Sequence, residues 1–169
     1  MDSHLSADQA IQRFFKETKV SAIMMTPVRK VNVEDSLSKA EEMFTLYGIS
    51  HLPVVDKKDK VVGILSHKYL YKIQSPRRFV GPEQDVSIDA IIDGDSYYWK
   101  ETLDQFILAN VMNSNHPIMN TDENVAQALM IMSQRKVGCI SIVDDQNKLC
   151  GILTNQEIVN FITRALEQK

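Results

Sequence analysis

The chain has 169 residues, of which 44% are hydrophobic and 24% are charged, as in globular proteins that bury a core without disulfides or metals. The net charge of −3 argues against a nucleic-acid partner, because phosphate binding needs a basic surface. The N-terminus lacks an apolar stretch after a basic start, and runs such as Val61–Leu65 are far shorter than the ~20 residues that span a bilayer. We therefore expect a cytoplasmic protein with no membrane partner.

The first part of the chain predicts a terminal helix and then the order strand, helix, strand, strand, helix. Ser6 is a suitable N-cap for an amphipathic helix that ends near Lys16 and carries two phenylalanines, which need either the core or a second subunit to cover them. The later elements are a short strand within 28–33, a helix over 37–47 ended by Gly48, a strand over 51–55, a strand over 61–65 and a helix starting at Ser66. Pro53 lacks an N–H group, which predicts a place at a strand start or a sheet edge.

The same order returns 88 positions later. The stretch VVGILS at Val61–Ser66 recurs as LCGILT at Leu149–Thr154. Other identical pairs are Met24/Met112, Asn32/Asn120, Ala40/Ala128, Val55/Val143, Asp56/Asp144 and Lys60/Lys148. Because the shared positions are an apolar stripe, a turn and a glycine, the chain is interpreted as two copies of one supersecondary unit.

The sequence divides into four segments on this basis. An N-terminal helical extension covers 1–19, the first unit covers 20–73 and the second unit with a C-terminal helix covers 108–169. Between them, 74–107 is a linker with an aromatic cluster around Trp99 and a helix leading into the second copy. A linker of this length is either functional or mobile. The two cysteines, Cys139 and Cys150, lie in strand-like runs and are expected to be small buried hydrophobes, with a disulfide as the lesser alternative.

The paired units, with PVVD followed by G-h-h-[ST] and a helix, resemble cystathionine β-synthase (CBS) domains, two of which form a Bateman module. The resemblance implies an α/β fold of two β-α-β-β-α units packed about a pseudo-twofold axis. It also implies clefts between the units that bind an adenosine-containing ligand such as AMP, ADP, ATP or S-adenosylmethionine, with no obligatory cofactor. A homodimer through the helices at Tyr69–Ile73 and Ile158–Leu166, and signalling to an effector protein in trans, follow from the same resemblance.

The second copy is the favoured ligand site. In such modules a Ser or Thr hydroxyl assists phosphate and an acid three residues later holds the ribose, which places Thr154 and Glu157 in these roles. Glutamate keeps the charge of the usual aspartate on a longer arm. The expected base pocket is lined by Asn120, Thr121, Gly138, Cys139, Ile140 and Ser141.

The first copy departs from this pattern. Ser66 keeps the hydroxyl, but Tyr69 stands at the acid position and His51 is larger than the residue usual there. The expected lining is Asn32, Val33, His51, Leu52, Pro53, Ser66, His67 and Tyr69, with Arg29, Lys30 and Lys68 as phosphate candidates. We therefore expect this cleft to be weaker, altered or empty.

Two other functions stay open at this point. In a ligand-free dimerisation scaffold, side chains such as Tyr69 and His51 would fill the clefts. Ser66 and Thr154 would then be simple helix caps, and Glu157 would favour its helix N-terminus without a ligand. An enzyme is the poorest reading, because the sequence holds no nucleophile elbow, P-loop, GxGxxG or metal-spaced cluster.

Overall fold

In the computed structural model, the residues described are 6–68, 70 and 107–167. Of the helix predicted to start at Ser66, the structure describes His67, Lys68 and Leu70, which are helical. Tyr69, the rest of that helix and the linker through 106 lie outside the described residues. The described elements are α1 (Ala7–Glu17), a 3₁₀ turn (Val20–Ala22), β1 (Val31–Asn32), α2 (Leu37–Tyr47), β2 (His51–Val55), β3 (Val61–Ser66), α3 (Leu108–Val111), β4 (Ile118–Asn120), α4 (Val125–Arg135), β5 (Cys139–Val143), β6 (Leu149–Thr154) and α5 (Asn155–Glu167). Both copies are therefore mixed α/β units, as the sequence predicts.

Each copy contains one three-stranded sheet. The strand orders are β1-β2-β3 and β4-β5-β6, with the first pair of strands parallel and the second pair antiparallel in both. Ser36 and Asn124 accept backbone N–H groups as N-caps of α2 and α4. The two helices end at residues with positive φ, Gly48 at 60° and Lys136 at 53°. The two sheets and their covering helices thus start and stop at matched positions.

Pro53 lies inside a central strand, in contrast to the expected strand start or edge. It is the third residue of β2, which pairs with both β1 and β3. The strand tolerates it because β1 pairs only with Val54 and Val55. The proline therefore lies beyond the end of β1, where its missing N–H costs no ladder hydrogen bond.

The first segment of each copy, 20–25 in the first and 108–113 in the second, crosses to the other copy. Met25 exchanges two backbone hydrogen bonds with Ile152, with N···O distances of 2.9 and 3.2 Å, and Asn113 does the same with Ile64 at 2.9 and 3.1 Å. Lys60 and Lys148 form an antiparallel bridge with each other. Since each of these residues is related to its counterpart by the 88-residue offset, the two units pack about a pseudo-twofold axis between the two lysines.

The crossing segments also complete the cores. Val20 and Ile23 are buried in the cluster of the second unit, and Leu108 is buried in the cluster of the first. A third cluster between the sheets joins Ile64, Cys139 and Ile152. Neither unit's core is made of its own residues alone, so the two units stabilise each other by burying shared apolar surface.

The N-terminal helix covers the second unit. Ser6 and Gln9 form a capping box at its start. The ring of Phe14 stacks on Phe161 with centroids 5.1 Å apart, and Phe15 packs against the second unit's core. Of the two alternatives for these phenylalanines, the chain's own core covers Phe15, and Phe14 stays 40% exposed.

The cysteines are both free, with Cys139 buried and Cys150 half-buried. Burial raises the pKa of the Cys139 thiol to about 12, so the thiol is protonated and behaves as a small apolar group. Among the described residues, no helix has the length and apolarity that a membrane span requires.

Candidate functional site

The repeated glycines, Gly63 and Gly151, lie where the crossing segments approach the sheets most closely. A Cβ atom on Gly151 would lie 2.5 Å from Sδ of Met24 and 3.0 Å from the carbonyl oxygen of Met25. On Gly63 it would lie 2.9 Å from both Sδ of Met112 and the Asn113 carbonyl oxygen. Only glycine admits the crossing chain at these distances, which explains why the glycine and the methionine recur together.

A cleft of about 420 Å³ opens where the crossing segment at Met25 meets the start of α5. This volume lies in the range of small-molecule sites. The first copy supplies the loop before β2, and the second copy supplies the end of β6 and the first turn of α5. The lining residues are Met25, Gly48, Ile49, Ser50, His51, Gly138, Ile152, Thr154, Asn155, Gln156 and Glu157.

Thr154 and Glu157 form a hydrogen-bonded pair at the wall of this cleft. The Thr154 hydroxyl and the Thr154 backbone N–H both donate to Oε2 of Glu157, the latter at 3.1 Å. The hydroxyl oxygen in turn accepts the backbone N–H of Gln156 at 3.2 Å. The pair therefore closes the N-terminus of α5 in the manner of a capping box, with the carboxylate folded back toward its own helix.

His51, a residue of the first copy, also lines this cleft. A Cβ atom on Gly138 would lie 3.6 Å from Cε1 of His51 and 3.6 Å from the side-chain amide of Asn155. The glycine thus leaves room for the imidazole ring across the boundary between the units. Burial, followed by the positive charge of Lys68, lowers the pKa of His51, so this ring is neutral at physiological pH.

A second histidine lies close enough to His51 for the two rings to interact electrostatically. His116 is buried, and its Nε2 accepts the Ser141 backbone N–H at 3.1 Å and lies 3.2 Å from the Ser141 hydroxyl. Burial, with smaller effects of His51 and Arg135, lowers the pKa of His116 to about 4. The accepted N–H bond requires an unprotonated Nε2, so this histidine is held neutral by its contacts as well as by burial.

The structure brings together three of the eight residues expected for the second copy's site, Gly138, Thr154 and Glu157. Asn120 instead lines a separate cavity of about 200 Å³ beside Glu123 and Asn147. Thr121 lies in the turn that follows β4. The strand residues Cys139, Ile140 and Ser141 are 3%, 0% and 0% exposed, so they are buried and do not line the cleft.

The residues expected for the first copy's site lie in several places. His51 lines the cleft at Thr154, while Leu52, Pro53 and Ser66 are buried. Asn32 accepts the Glu34 N–H through its side-chain oxygen, and Val33 packs against the first core. The His67 ring is 5.0 Å from the ring of Phe44. Tyr69 lies outside the described residues.

The three phosphate candidates are spread around the first unit. The guanidinium of Arg29 lies 4.1 Å from the ring centroid of Tyr47. Lys30 pairs with Asp59 at 2.6 Å near the pseudo-twofold axis. Lys68 is exposed, and its charge acts on both His51 and Cys139. None of the three lines the cleft at Thr154.

Several cleft residues were missed by sequence reasoning because they come from the opposite copy. Met25 reaches the site through the crossing of the first segment. Ser50 lies in the first copy's loop before β2. Asn155 and Gln156 were named in no site although they separate Thr154 from Glu157. In each copy a methionine stands 39 positions before the repeated glycine, as Met24 before Gly63 and Met112 before Gly151. This recurrence is the signal in the sequence that could have indicated the crossing.

The family model described as "CBS domain" matches residues 20–75 and 108–164. Inosine-5′-monophosphate dehydrogenase of Methanocaldococcus jannaschii is 25% identical over 156 residues, which are 92% of this chain and 26% of that protein. The chain spans between 22% and 40% of the length of the first curated relatives that it matches.

Solved structures show the same fold. The CBS domain pair of protein MJ0100, in complex with 5′-methylthioadenosine and S-adenosyl-L-methionine, superposes with a TM-score of 0.65 at 21% identity, covering 88% of this chain and 98% of that one. CBSX2 in complex with AMP gives a TM-score of 0.67 at 18% identity, covering 89% and 99%. At these identities the likeness establishes the arrangement of the backbone.

Proposed function

The chain belongs to the CBS domain family, as a tandem pair of units, and from this premise we propose that it is a regulatory module that binds an adenosine-containing ligand. The ligand occupies the cleft between Gly138, Thr154 and Glu157. Two neighbours of the same fold were solved with adenosine compounds, one with 5′-methylthioadenosine and S-adenosyl-L-methionine and one with AMP. These neighbours support the ligand class and leave its identity to experiment.

The observation that carries the proposal is the placement of a carboxylate and a hydroxyl on one wall of a cleft of about 420 Å³. A carboxylate can accept hydrogen bonds from both ribose hydroxyls. The opposite wall is made of small or apolar groups, including Gly48, Ile49 and Met25, which suit the flat face of a purine. The cleft therefore combines an apolar slot with one charged anchor.

Ligand binding in this cleft involves a change at Glu157. Its Oε2 accepts two hydrogen bonds from Thr154, and ribose hydroxyls compete with Thr154 for the same carboxylate. Release of the Thr154 hydroxyl frees it to contact the ligand. Binding thereby alters the first turn of α5, and we propose that this helix transmits the signal, because a ligand shifts an equilibrium only by differing contacts in two states.

Isothermal titration of the purified chain with AMP, ADP, ATP and S-adenosylmethionine tests this function. We expect saturable binding of at least one compound and a rise in melting temperature that follows the ligand concentration. Thr154→Val should weaken binding, whereas Thr163→Val, a matched change on the exposed part of α5, should leave it intact. Absence of heat and of thermal shift with all four compounds would exclude the nucleoside function.

We propose that the module acts as a homodimer. Exposed apolar side chains lie on α1 and α5, namely Ile11, Val159, Ile162 and Leu166, which are 56%, 54%, 37% and 76% exposed. A second copy of the chain would cover them in a C₂ arrangement, from which the signal passes to an effector protein in trans. Light scattering at several concentrations tests this, and Ile162→Glu should shift a dimer toward monomer.

A ligand-free scaffold remains the second candidate, because Glu157 is satisfied by Thr154 and His51 already contributes its ring to the cleft. This function predicts that Thr154→Val leaves the protein's behaviour unchanged apart from a small loss of helix capping. Within the described part of the chain, no group of three or more His, Cys, Asp and Glu side chains is placed to hold a metal ion.

A further inference from the structure

A depression in the surface of the second copy adjoins the cleft at Thr154. It has a volume of about 440 Å³ and is lined by the last turns of α4, the loop before β5 and the first residue of α5. Gly138 and Asn155 line both the cleft and the depression, so the two spaces share one boundary. The other residues that line the depression are Leu129, Met132, Ser133, Lys136 and Val137.

Gly138 forms this boundary without a side chain. A Cβ atom at this position would lie 3.6 Å from both Cε1 of His51 and the side-chain amide of Asn155, so a larger side chain would occupy the space between them. The backbone does not require glycine here, because Gly138 does not have a positive φ. The first copy has Ser50 at the corresponding position. The missing side chain therefore keeps the cleft and the depression connected.

The three backbone N–H groups at the start of α5 are already bonded. The Thr154 N–H donates to Oε2 of Glu157 at 3.1 Å, and the Gln156 N–H donates to the Thr154 hydroxyl at 3.2 Å. The Asn155 N–H donates to the Gly138 carbonyl at 3.0 Å. Such groups are the ones with which a helix N-terminus usually binds a phosphate. Since the cleft also holds a carboxylate, an anionic group of a ligand is better stabilised outside it.

Lysine side chains bring positive charge to the boundary. Lys136, at the end of α4, is exposed, and within the described residues no carboxylate forms an ion pair with it. The charge of Lys68 acts on His51 and on the thiol of Cys139, which respectively contact and follow Gly138. The cleft therefore has a carboxylate on its wall, and the depression beside it has an ammonium group.

We propose that the cleft and the depression form one continuous site for an adenosine nucleotide with two or three phosphates. The nucleoside occupies the cleft with its ribose at Glu157, and the phosphate chain crosses Gly138 and Asn155 to the ammonium group of Lys136. A monophosphate ends nearer to the ribose, so it gains less attraction from Lys136. The inference rests on the proposed function and adds to it that the ligand is ADP or ATP rather than AMP.

Calorimetry with AMP, ADP and ATP tests this in the absence of divalent cations, because bound Mg²⁺ would neutralise the phosphate charge. The wild-type chain should bind ATP about tenfold more tightly than AMP, with ADP between them. Lys136→Gly should reduce the ratio of the ATP and AMP affinities to about twofold or less. Glycine stands at the corresponding position of the first copy, where Gly48 has a φ of 60°, so this variant retains the fold.

Two exposed positions provide matched controls. Lys136→Arg keeps the positive charge and should keep the preference for ATP. Arg135→Gln removes the neighbouring exposed charge, which lines neither the cleft nor the depression. Because solvent and salt screen exposed charges that make no direct contact, Arg135→Gln should leave all three affinities within about twofold of wild type.

The passage over Gly138 has its own test. Gly138→Ser introduces the residue of the first copy, and its Cβ atom meets His51 and Asn155 at ordinary contact distances, so the fold is retained. The hydroxyl group narrows the boundary, and we expect the ratio of the ATP and AMP affinities to fall by about threefold.

Binding of ATP no tighter than that of AMP, or binding of S-adenosylmethionine alone, would overturn this inference while leaving the proposed function in place. A preference for ATP that survives Lys136→Gly or Gly138→Ser, or that falls equally in Arg135→Gln, would also overturn it, because the depression would then not bind the phosphates. Failure of all these compounds to bind would overturn the proposed function together with the inference.

Discussion

The two copies agree where they touch each other and differ where they face a cleft. Asp59 and Asn147 beside the pseudo-twofold axis share a φ of 63°, and each repeated glycine lies under a methionine of the crossing segment. By contrast, Glu157 and Gln156 correspond to Tyr69 and Lys68. Contacts about the axis constrain both copies at once, whereas a cleft can change in one copy without disturbing the other.

One difference between the copies is coordinated. Ser141 has a buried N–H group that His116 Nε2 and the Pro117 carbonyl accept at 3.1 and 3.3 Å. The residues of the first copy that correspond to Ser141 and His116 are Pro53 and Val28. Pro53 has no N–H to satisfy, and Val28 packs as an apolar residue in the cluster between the sheets. Each copy therefore fills this position with two residues of matching polarity. The pair is hydrogen-bonded in the second copy and apolar in the first.

The largest expected effect comes from truncating the matched core leucines. Leu65 and Leu153 are both fully buried, so Leu65→Ala and Leu153→Ala should each lower the free energy of unfolding by about 3 kcal/mol. Because the cores share crossing segments, both variants should still unfold in one transition in urea. Two separate transitions in either variant would show that the copies fold independently.

Substitutions of the two repeated glycines should have the next largest effect on stability. Gly63→Ala places a Cβ atom 2.9 Å from a backbone carbonyl oxygen, and we expect a loss of about 2 kcal/mol from overpacking. Gly151→Ala should cost about the same, because its Cβ would lie 3.0 Å from the Met25 carbonyl oxygen and 2.5 Å from Sδ of Met24. Gly48→Ala is the control, since its Cβ meets no atom within 4 Å and its positive φ alone costs about 1 kcal/mol. Urea denaturation of the three variants measures the order, and a Gly63→Ala variant as stable as wild type contradicts it.

The order of helices and strands was predictable from the sequence, because the local signals for each element occur in both copies. The helix over 37–47 and its end at Gly48 were predicted, because the apolar spacing and the glycine lie within or next to the residues they affect. The position of Pro53 was not predictable, because it depends on how far β1 extends along a neighbouring strand. The crossing of Met25 was not predictable for the same reason.

The candidate site was predictable only in part. Thr154 and Glu157 follow a local spacing on one helix, and the structure places both in the cleft. Asn120, Ile140 and Ser141 were assigned to the base pocket by their positions in strands. In the structure, Ile140 and Ser141 are buried, and Asn120 lines a separate cavity. A strand sequence alone does not say which end of a sheet meets the other copy.

The polar pair of the second copy should make stability depend on pH. The pKa of His116 is lowered to about 4 in the folded chain, below the unfolded value of about 6.5, so the unfolded chain binds more protons between these values. The stabilisation is complete above pH 6.5 and is lost as the pH falls toward 4. We expect about 2 kcal/mol less stability at pH 5 than at pH 7.5 from this group.

Urea denaturation of wild type and of His116→Val/Ser141→Ala at both pH values measures this effect. The double variant removes the titrating ring and the hydroxyl beside it but keeps the N–H of residue 141, which also donates to the Pro117 carbonyl at 3.3 Å, so it should lose most of the pH dependence. An unchanged difference between the two pH values in that variant would assign the effect to other groups.

The smallest expected effect lies at the axis itself, where the first copy has the ion pair Lys30–Asp59 and the second has Ile118 and Asn147. The pair is exposed, with side-chain exposures of 39% and 55%, and exposed pairs contribute ~1 kcal/mol or less. Asp59→Asn should therefore change stability by less than about 0.5 kcal/mol, because asparagine also tolerates positive φ. Asp59→Ala loses that tolerance and should cost about 1 kcal/mol. If both variants lose the same stability in urea at low salt, and high salt removes the loss, then the charge of Asp59 rather than its backbone conformation accounts for its place at the axis.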